Sequence, residues 1–439
     1  MKKSNYNKIL TLDNGKTIAF NSISCALAEV DQQFLDILKK INSIDYNKLN
    51  DSRKELVDNM LDGNYIVHDE VDELKFIEYK HLKAKFSTNG LSLTIAPTID
   101  CNFECPYCYE TPKKGFMDIT VQDSILNLIN NYVNSIKKLH ICWYGGEPLL
   151  AKNIINSLST KIIAMCNKNN IEYTASIVTN GFLLNEKLID ELSQLKINNY
   201  QITLDGPPNI HNARRKLRGK KVDTFNKILE NVKILKSKDI FISIRVNVDN
   251  SNKNSIENLF TIFQDNKLTD LNINIGHVRH NKQICSSVLG DCLSNEEYAK
   301  YAFNCNKLLK NKNFDIGNNL YYPEPKSNYC CADCSTAFVI DPEGYVYKCW
   351  NDVGNADCAI SNVKTLNNIS DSMYMNNIKY ILWSPFKFQK CKECWLLPIC
   401  MGGCPYNGII KNSPECEKWK YIIQESLIDS YNKKCLENT

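Results

Sequence analysis

Three groups of cysteine stand out in this chain, three residues at 101–108, four at 330–349 and five at 391–416. The first has the spacing Cys101-x3-Cys105-x2-Cys108. Three thiolates so placed can hold three irons of a [4Fe–4S] cube and leave the fourth iron open to a chelating ligand. Zinc, which takes four nitrogen or sulfur ligands, is the alternative. The later groups read Cys334-x9-Gly344-x4-Cys349, then Cys391-x2-Cys394-x5-Cys400-x3-Cys404, then Cys416. Gly344 closes the run Asp341-Pro342-Glu343-Gly344, a hairpin turn that brings Cys334 and Cys349 together. Two zinc ribbons are the alternative here.

Disulfides do not fit these groups. The chain opens with Lys2 and Lys3, but no apolar signal-peptide core follows. A cytoplasmic location is the default expectation, and cytosolic thiols stay reduced. The scattered cysteines (Cys25, Cys142, Cys166, Cys285, Cys292, Cys305, Cys358 and Cys435) read as small buried apolar side chains. With 53 basic and 49 acidic residues the net charge is only +4, which gives no reason to invoke nucleic acid or a membrane surface. No apolar run approaches the length of a membrane span. A chain of 439 residues holds two or three domains.

The elements that must position the cysteines follow from periodicity. Residues 1–88 hold a hairpin (Lys8–Leu12, the turn Asp13-Asn14-Gly15, Lys16–Phe20) and amphipathic helical segments around Ala26–Ile41 and Ser52–Leu61. This content predicts a small winged-helix-like module. Residues 89–310 alternate. Strand-like runs at Leu91–Ile95, Leu139–Trp143, Ala175–Val178, Tyr200–Leu204, Phe241–Asn247 and Leu271–Gly276 are separated by helical patterns such as Val121–Ile136 and Ile154–Cys166. Six such units predict an α/β fold, a partial (β/α)6 TIM-like barrel with right-handed crossovers. Chemistry in such folds gathers at the C-terminal ends of strands. The unusual residues do follow the strands: the Cys101–Cys108 loop, Gly145-Gly146-Glu147-Pro148, Thr179-Asn180-Gly181, Asp205-Gly206-Pro207, then Arg245 with Asn247, then Gly276-His277.

This arrangement resembles the radical S-adenosylmethionine (SAM) superfamily. The resemblance implies that Cys101, Cys105 and Cys108 hold a [4Fe–4S] cluster whose open iron SAM chelates. Tyr107 then lies near the adenine, Gly145, Gly146 and Glu147 grip the SAM amino group, and Asn180 and Arg245 make further SAM contacts. Residues 311–439 resemble the SPASM domain, with two auxiliary clusters. The family's ligation assigns Cys349, Cys404 and Cys334 to the first, which Cys331 or Cys330 completes, or both stay free and leave an iron open to a substrate thiolate. It assigns Cys391, Cys394, Cys400 and Cys416 to the second. The resemblance is closest to ribosomal-peptide maturases that form thioethers. It implies three [4Fe–4S] clusters, SAM, a precursor peptide whose leader binds residues 1–88 by strand addition, and a reductant such as flavodoxin or ferredoxin. Two other readings stand beside it. Anaerobic sulfatase-maturating enzymes usually carry Asp directly after the cysteine that matches Cys349, where this chain has Trp350. A non-catalytic metal-binding scaffold that only holds peptide is the other.

Overall fold

The computed structural model describes residues 1–110, 112–279, 291–315, 321–366 and 369–437, without the side chains of residues 434, 436 and 437. Cys285 lies outside the described residues. The chain divides into two compact units, one of Met1–Phe86, Gly317–Cys330 and Trp383–Thr439, the other of Ser87–Ile316 and Cys331–Leu382.

In the first unit, β1 (Lys2–Lys3) pairs antiparallel with β5 (Ile66–Val67), and β2 (Asn7–Thr11), β3 (Thr17–Asn21) and β4 (Leu27–Val30) form an antiparallel sheet in the order β2-β3-β4. The β2–β3 hairpin turns through Gly15, whose φ of +82° suits a residue without Cβ. The expected helix over Ala26–Ile41 is part strand, and only Gln32–Lys40 is helical. Leu27 and Val30 satisfy helical spacing, but they pair with β3, and Asp31 starts the helix by accepting from the Phe34 amide at 2.8 Å. Ala19, Phe34, Ile37, Leu38, Val57, Met60 and Tyr65 make the core of this region. A second cluster joins Tyr6 and Ile77 to Phe386, Leu397 and Met401, with Cys391 packed at its margin. The first residues of the chain therefore share a core with the segment that carries the last five clustered cysteines.

The second unit is built on one sheet. Its parallel strands are β6 (Gly90–Ile95), β7 (Lys138–Trp143), β8 (Glu172–Thr179), β9 (Ile197–Thr203), β10 (Phe241–Val248) and β11 (Asn272–His277). These are the six strands expected from the sequence. Three more extend the sheet past β6. The strand β12 (Ala337–Ile340) pairs parallel to β6, and β13 (Tyr345–Tyr347) and β14 (Ser361–Asn362) follow antiparallel. The order is β11-β10-β9-β8-β7-β6-β12-β13-β14. Gly344 (φ +88°) turns the chain between β12 and β13, as the hairpin reading required.

Along β10 the apolar Ile242, Ile244, Val246 and Val248 are buried, and Ser243, Arg245 and Asn247 alternate with them, half-buried. Each fully buried Ile or Val contributes about 1.5–3 kcal/mol. The opposite face, released from that duty, carries the polar side chains. Among the described residues, no helix is long and apolar enough to cross a membrane.

Candidate active site

The loop after β6 carries Cys101, Cys105 and Cys108, and it is fastened from two sides. On one side Gly146 N donates to Thr98 O (3.2 Å) and Glu147 N to Asp100 O (2.9 Å). A Cβ on Gly145 would lie 2.2 Å from Thr98 O, and one on Gly146 2.3 Å from Asp100 O. Both glycines are thus needed to let the end of β7 approach the cysteine loop's backbone. On the other side Glu104 N donates to Lys216 O (3.0 Å), Arg218 N to Asn102 O (2.7 Å), and Arg218 pairs with Asp100 at 2.8 Å.

Glu147 is fully buried, and its carboxylate accepts from Thr179 Oγ1 (2.7 Å), Asn180 N (2.8 Å) and Leu149 N (3.0 Å). It ties the end of β7 to the end of β8. Asn180 Nδ2 donates to Asn102 Oδ1 at 2.7 Å, which brings β8 to the cysteine loop as well. Arg245 donates to Asn247 Oδ1 (3.0 Å) and Asn274 Oδ1 (2.9 Å), which aim its guanidinium across the strand ends.

These groups converge. Cys101, Cys105, Cys108, Tyr107, Gly145, Gly146, Asn180 and Arg245 all line one cavity of about 430 Å³. Glu147 is the expected site residue of this unit's strand ends that does not line it. An adjoining cavity of about 350 Å³ is lined by the same three cysteines with Glu110 and Gly146. Burial pushes the thiols of Cys101 and Cys108 up to about 12 and raises that of Cys105, which the Arg215 guanidinium opposes. Bound cations reverse that preference, since a coordinating thiol is deprotonated. Among the described residues, no three His, Cys, Asp or Glu side chains converge as a single-ion site. Three thiols around shared open space, with a buried guanidinium beside them, suit a multi-iron cluster with an anionic thiolate shell.

Arg214, Arg215 and Glu110 carried no signal at the level of motifs. Tyr107 donates to Asp205, accepts from Arg215 Nη1 at 2.7 Å, and lies 4.9 Å from the Arg214 guanidinium across its ring face. Arg214 in turn pairs with Asp249 at 2.9 Å. The adjacent arginines follow Asp205-Gly206-Pro207, and that strand-end turn was their only marker in the sequence. Glu110, 7% exposed, lines both cavities, and burial pushes it up to about 7. Trp350 lines the larger cavity and packs on Tyr144 with ring centroids 4.2 Å apart.

Residues 95–261 match the model of the radical SAM superfamily. The chain carries a radical SAM domain. It is 28% identical to a cysteine-type anaerobic sulfatase-maturating enzyme of Clostridium novyi, over 77% of this chain and 96% of that protein. It is 21% identical to the radical SAM cyclopropyl synthase TigE of Paramaledivibacter caminithermalis, over 96% of this chain and 94% of that one. Among solved structures, anSMEcpe with bound AdoMet and Cp18Cys peptide superposes with a TM-score of 0.58 at 21% identity, covering 78% of this chain and 99% of that one. Streptococcus suis SuiB bound to S-adenosylmethionine gives 0.55 at 17%, covering 95% and 98%. The matched residues run from the last residue of β6 into the helix Ile256–Asp265, and they include most of the residues that line the cavity.

The remaining clustered cysteines divide between the units. Cys391, Cys394, Cys400 and Cys416 line a cavity of about 490 Å³ in the first unit, which also contains Cys404. Cys331, Cys334 and Cys349 belong to the second. There Lys348, 2% exposed, donates to the Cys334 carbonyl and, at 2.8 Å, to Ala337 O, fixing the backbone at the base of the β12–β13 hairpin.

Proposed function

We propose that this protein is a radical SAM peptide maturase that forms a cysteine thioether in a ribosomally made precursor. The observation that carries the reading is the shared cavity, where the Cys101–Cys108 loop meets Gly145, Gly146, Asn180 and Arg245 at successive strand ends. Cys101, Cys105 and Cys108 would hold the [4Fe–4S] cluster that SAM chelates. When bound and reduced, that cluster supplies an electron for cleaving SAM to a 5′-deoxyadenosyl radical. The chain's own residues bind and orient. Arg245 offers a planar, permanently charged fork to a carboxylate. The backbone at Gly145 and Gly146 borders the ligand space, and Asn180 and Tyr107 flank it. The C-terminal cysteines would hold two further clusters, with Cys391, Cys394, Cys400 and Cys416 as one set. A low-potential reductant such as flavodoxin or ferredoxin would deliver the electron.

A peptide substrate is supported by SuiB, a structural neighbour that spans almost the whole chain. SuiB covers 95% of it and is known bound to precursor peptide SuiA, and the radical SAM cyclopropyl synthase TigE covers 96%. Residues 1–88, through the outer strands β2 and β4 of their antiparallel sheet, would bind a leader by strand addition. Formylglycine formation is the second reading, favoured by the 28% identity to the Clostridium novyi enzyme. Against it, the indole of Trp350 takes the position after Cys349, where sulfatase-maturating enzymes usually carry Asp, and packs on Tyr144.

The test is anaerobic reconstitution. The reduced protein is expected to convert SAM to 5′-deoxyadenosine and to hold about twelve irons. Replacing Cys101, Cys105 and Cys108 together by Ala should abolish cleavage and leave about eight irons. Persistent cleavage in that variant would overturn the reading. Co-expression with a cysteine-bearing precursor, read by mass spectrometry, separates thioether formation (loss of two hydrogens) from formylglycine (loss of sulfur).

A further inference from the structure

Arg215 is a buried cation beside the cysteine loop. It is 8% exposed, and it lines the cavity with Cys101, Cys105 and Cys108. Among the described residues, no carboxylate oxygen lies within ion-pair distance of its guanidinium, in contrast to Arg214 (with Asp249) and Arg218 (with Asp100). Among the described residues its Nε has no hydrogen-bond partner. What holds it is the loop itself. Nη1 donates to Tyr107 Oη at 2.7 Å, and the guanidinium lies 5.7 Å from the centre of the Phe103 ring. Both aromatic residues lie between the cysteines in sequence. Asp205 is reached through the Tyr107 hydroxyl, which donates to it. Burying an arginine without a direct carboxylate is costly unless something else answers the charge.

A cube held by three thiolates answers it. Such a cluster carries net negative charge, and reduction adds one more electron with no bond made or broken. We propose that Arg215 sets the reduction potential of the cluster held by Cys101, Cys105 and Cys108, with Tyr107 as the strut that holds the guanidinium beside it. Charge and hydrogen bonds near the sulfurs are among the levers that tune such potentials, and a cation in a low-dielectric wall acts far more strongly than one in water. The buried positive charge favours the reduced cluster. Arg215 is thus a positioning and tuning residue rather than one that touches reacting atoms. The inference rests on the cluster reading given under Proposed function.

The experiment is an anaerobic redox titration of the holoenzyme without SAM, poised with dithionite or titanium(III) citrate and followed by electron paramagnetic resonance. The signal of this cluster is the one lost in the Cys101→Ala, Cys105→Ala, Cys108→Ala variant. If no signal is lost there, the cluster reading itself falls and this inference with it. In Arg215→Gln the ratio of reduced to oxidised cluster at a fixed solution potential should fall at least tenfold, a shift of about 59 mV to lower potential. Arg215→Lys, which keeps the charge, should restore most of it. Tyr107→Phe should shift the potential in the same direction, by less, and it decides the matter if Arg215→Gln does not retain iron. A purely structural role would lower iron content and leave the midpoint of the remaining cluster alone. An unchanged midpoint in an iron-loaded Arg215→Gln protein, or in Tyr107→Phe where only that variant is loaded, would overturn the proposal.

Discussion

Gly276 on β11 leaves the space that the Arg245 guanidinium fills: a Cβ built on Gly276 would lie 2.1 Å from Arg245 Nε. The two residues are on neighbouring parallel strands, with Arg245 paired to Asn274 and Asn247 paired to Gly276. The glycine is therefore required by a side chain two positions out of register with it, and the pair is a device for aiming a cation.

Gly276→Ala should displace that guanidinium while the sheet persists. If Arg245 binds the SAM carboxylate, the loss is that of a charge-assisted pair, about 1.5–3 kcal/mol, or roughly ten- to a hundredfold in SAM affinity. Equilibrium dialysis of labelled SAM against reconstituted protein measures it. Affinity equal to wild type would remove Arg245 from the SAM site.

Glu147 is expected to matter first for stability. Glu147→Ala leaves the Leu149 and Asn180 amides and the Thr179 hydroxyl without their acceptor. Each unsatisfied buried donor costs about 1–3 kcal/mol, so a destabilisation of about 3 kcal/mol or more should appear in urea unfolding of the apo protein. A melt superimposable on wild type would show that water replaces the carboxylate.

His211 predicts an acid limit. It is buried, its Nδ1 accepts from the Asp205 amide at 3.3 Å, and burial together with Arg215 and Arg214 holds its pKa well below the ordinary value of 6.5, against a smaller opposing pull from Asp223. The unfolded chain binds the proton that the folded chain refuses. Stability is therefore fully present above about pH 6.5 and is lost as pH falls below it, by up to about 1.4 kcal/mol per pH unit. His211→Gln should flatten this part of the stability–pH curve. An equal slope in the variant would assign the loss to other groups.

Removing residues 1–86 should do more than abolish leader binding. Tyr6 and Ile77 share a core cluster with Phe386, Leu397 and Met401, and Cys391 packs at its edge. Truncation uncovers that cluster, so the C-terminal cysteines should lose iron, because metal binding and folding are coupled. In the intact protein, leader affinity by fluorescence anisotropy should vary little with salt, since strand addition relies on short-range backbone bonds. A steep salt dependence would point to a charged leader site instead.

Much of the site was legible because its residues are local in sequence. Cys101, Cys105 and Cys108 lie within one loop, and a regular β/α alternation puts Gly145, Asn180 and Arg245 at strand ends, since period-two and helical patterns are properties of short windows. Gly344 was legible as a turn for the same reason. Tertiary structure decided the rest. The glycines at 145, 146 and 276 serve approaches to Thr98, Asp100 and Arg245, which are remote in the chain. Leu27 and Val30 fitted a helix until β3 offered them a pairing edge. No pattern placed β12 beside β6, or Arg215 against Tyr107 across 108 positions of chain. Pairing across such separations depends on which surfaces meet when the sheet closes up, and a local window holds no information about that.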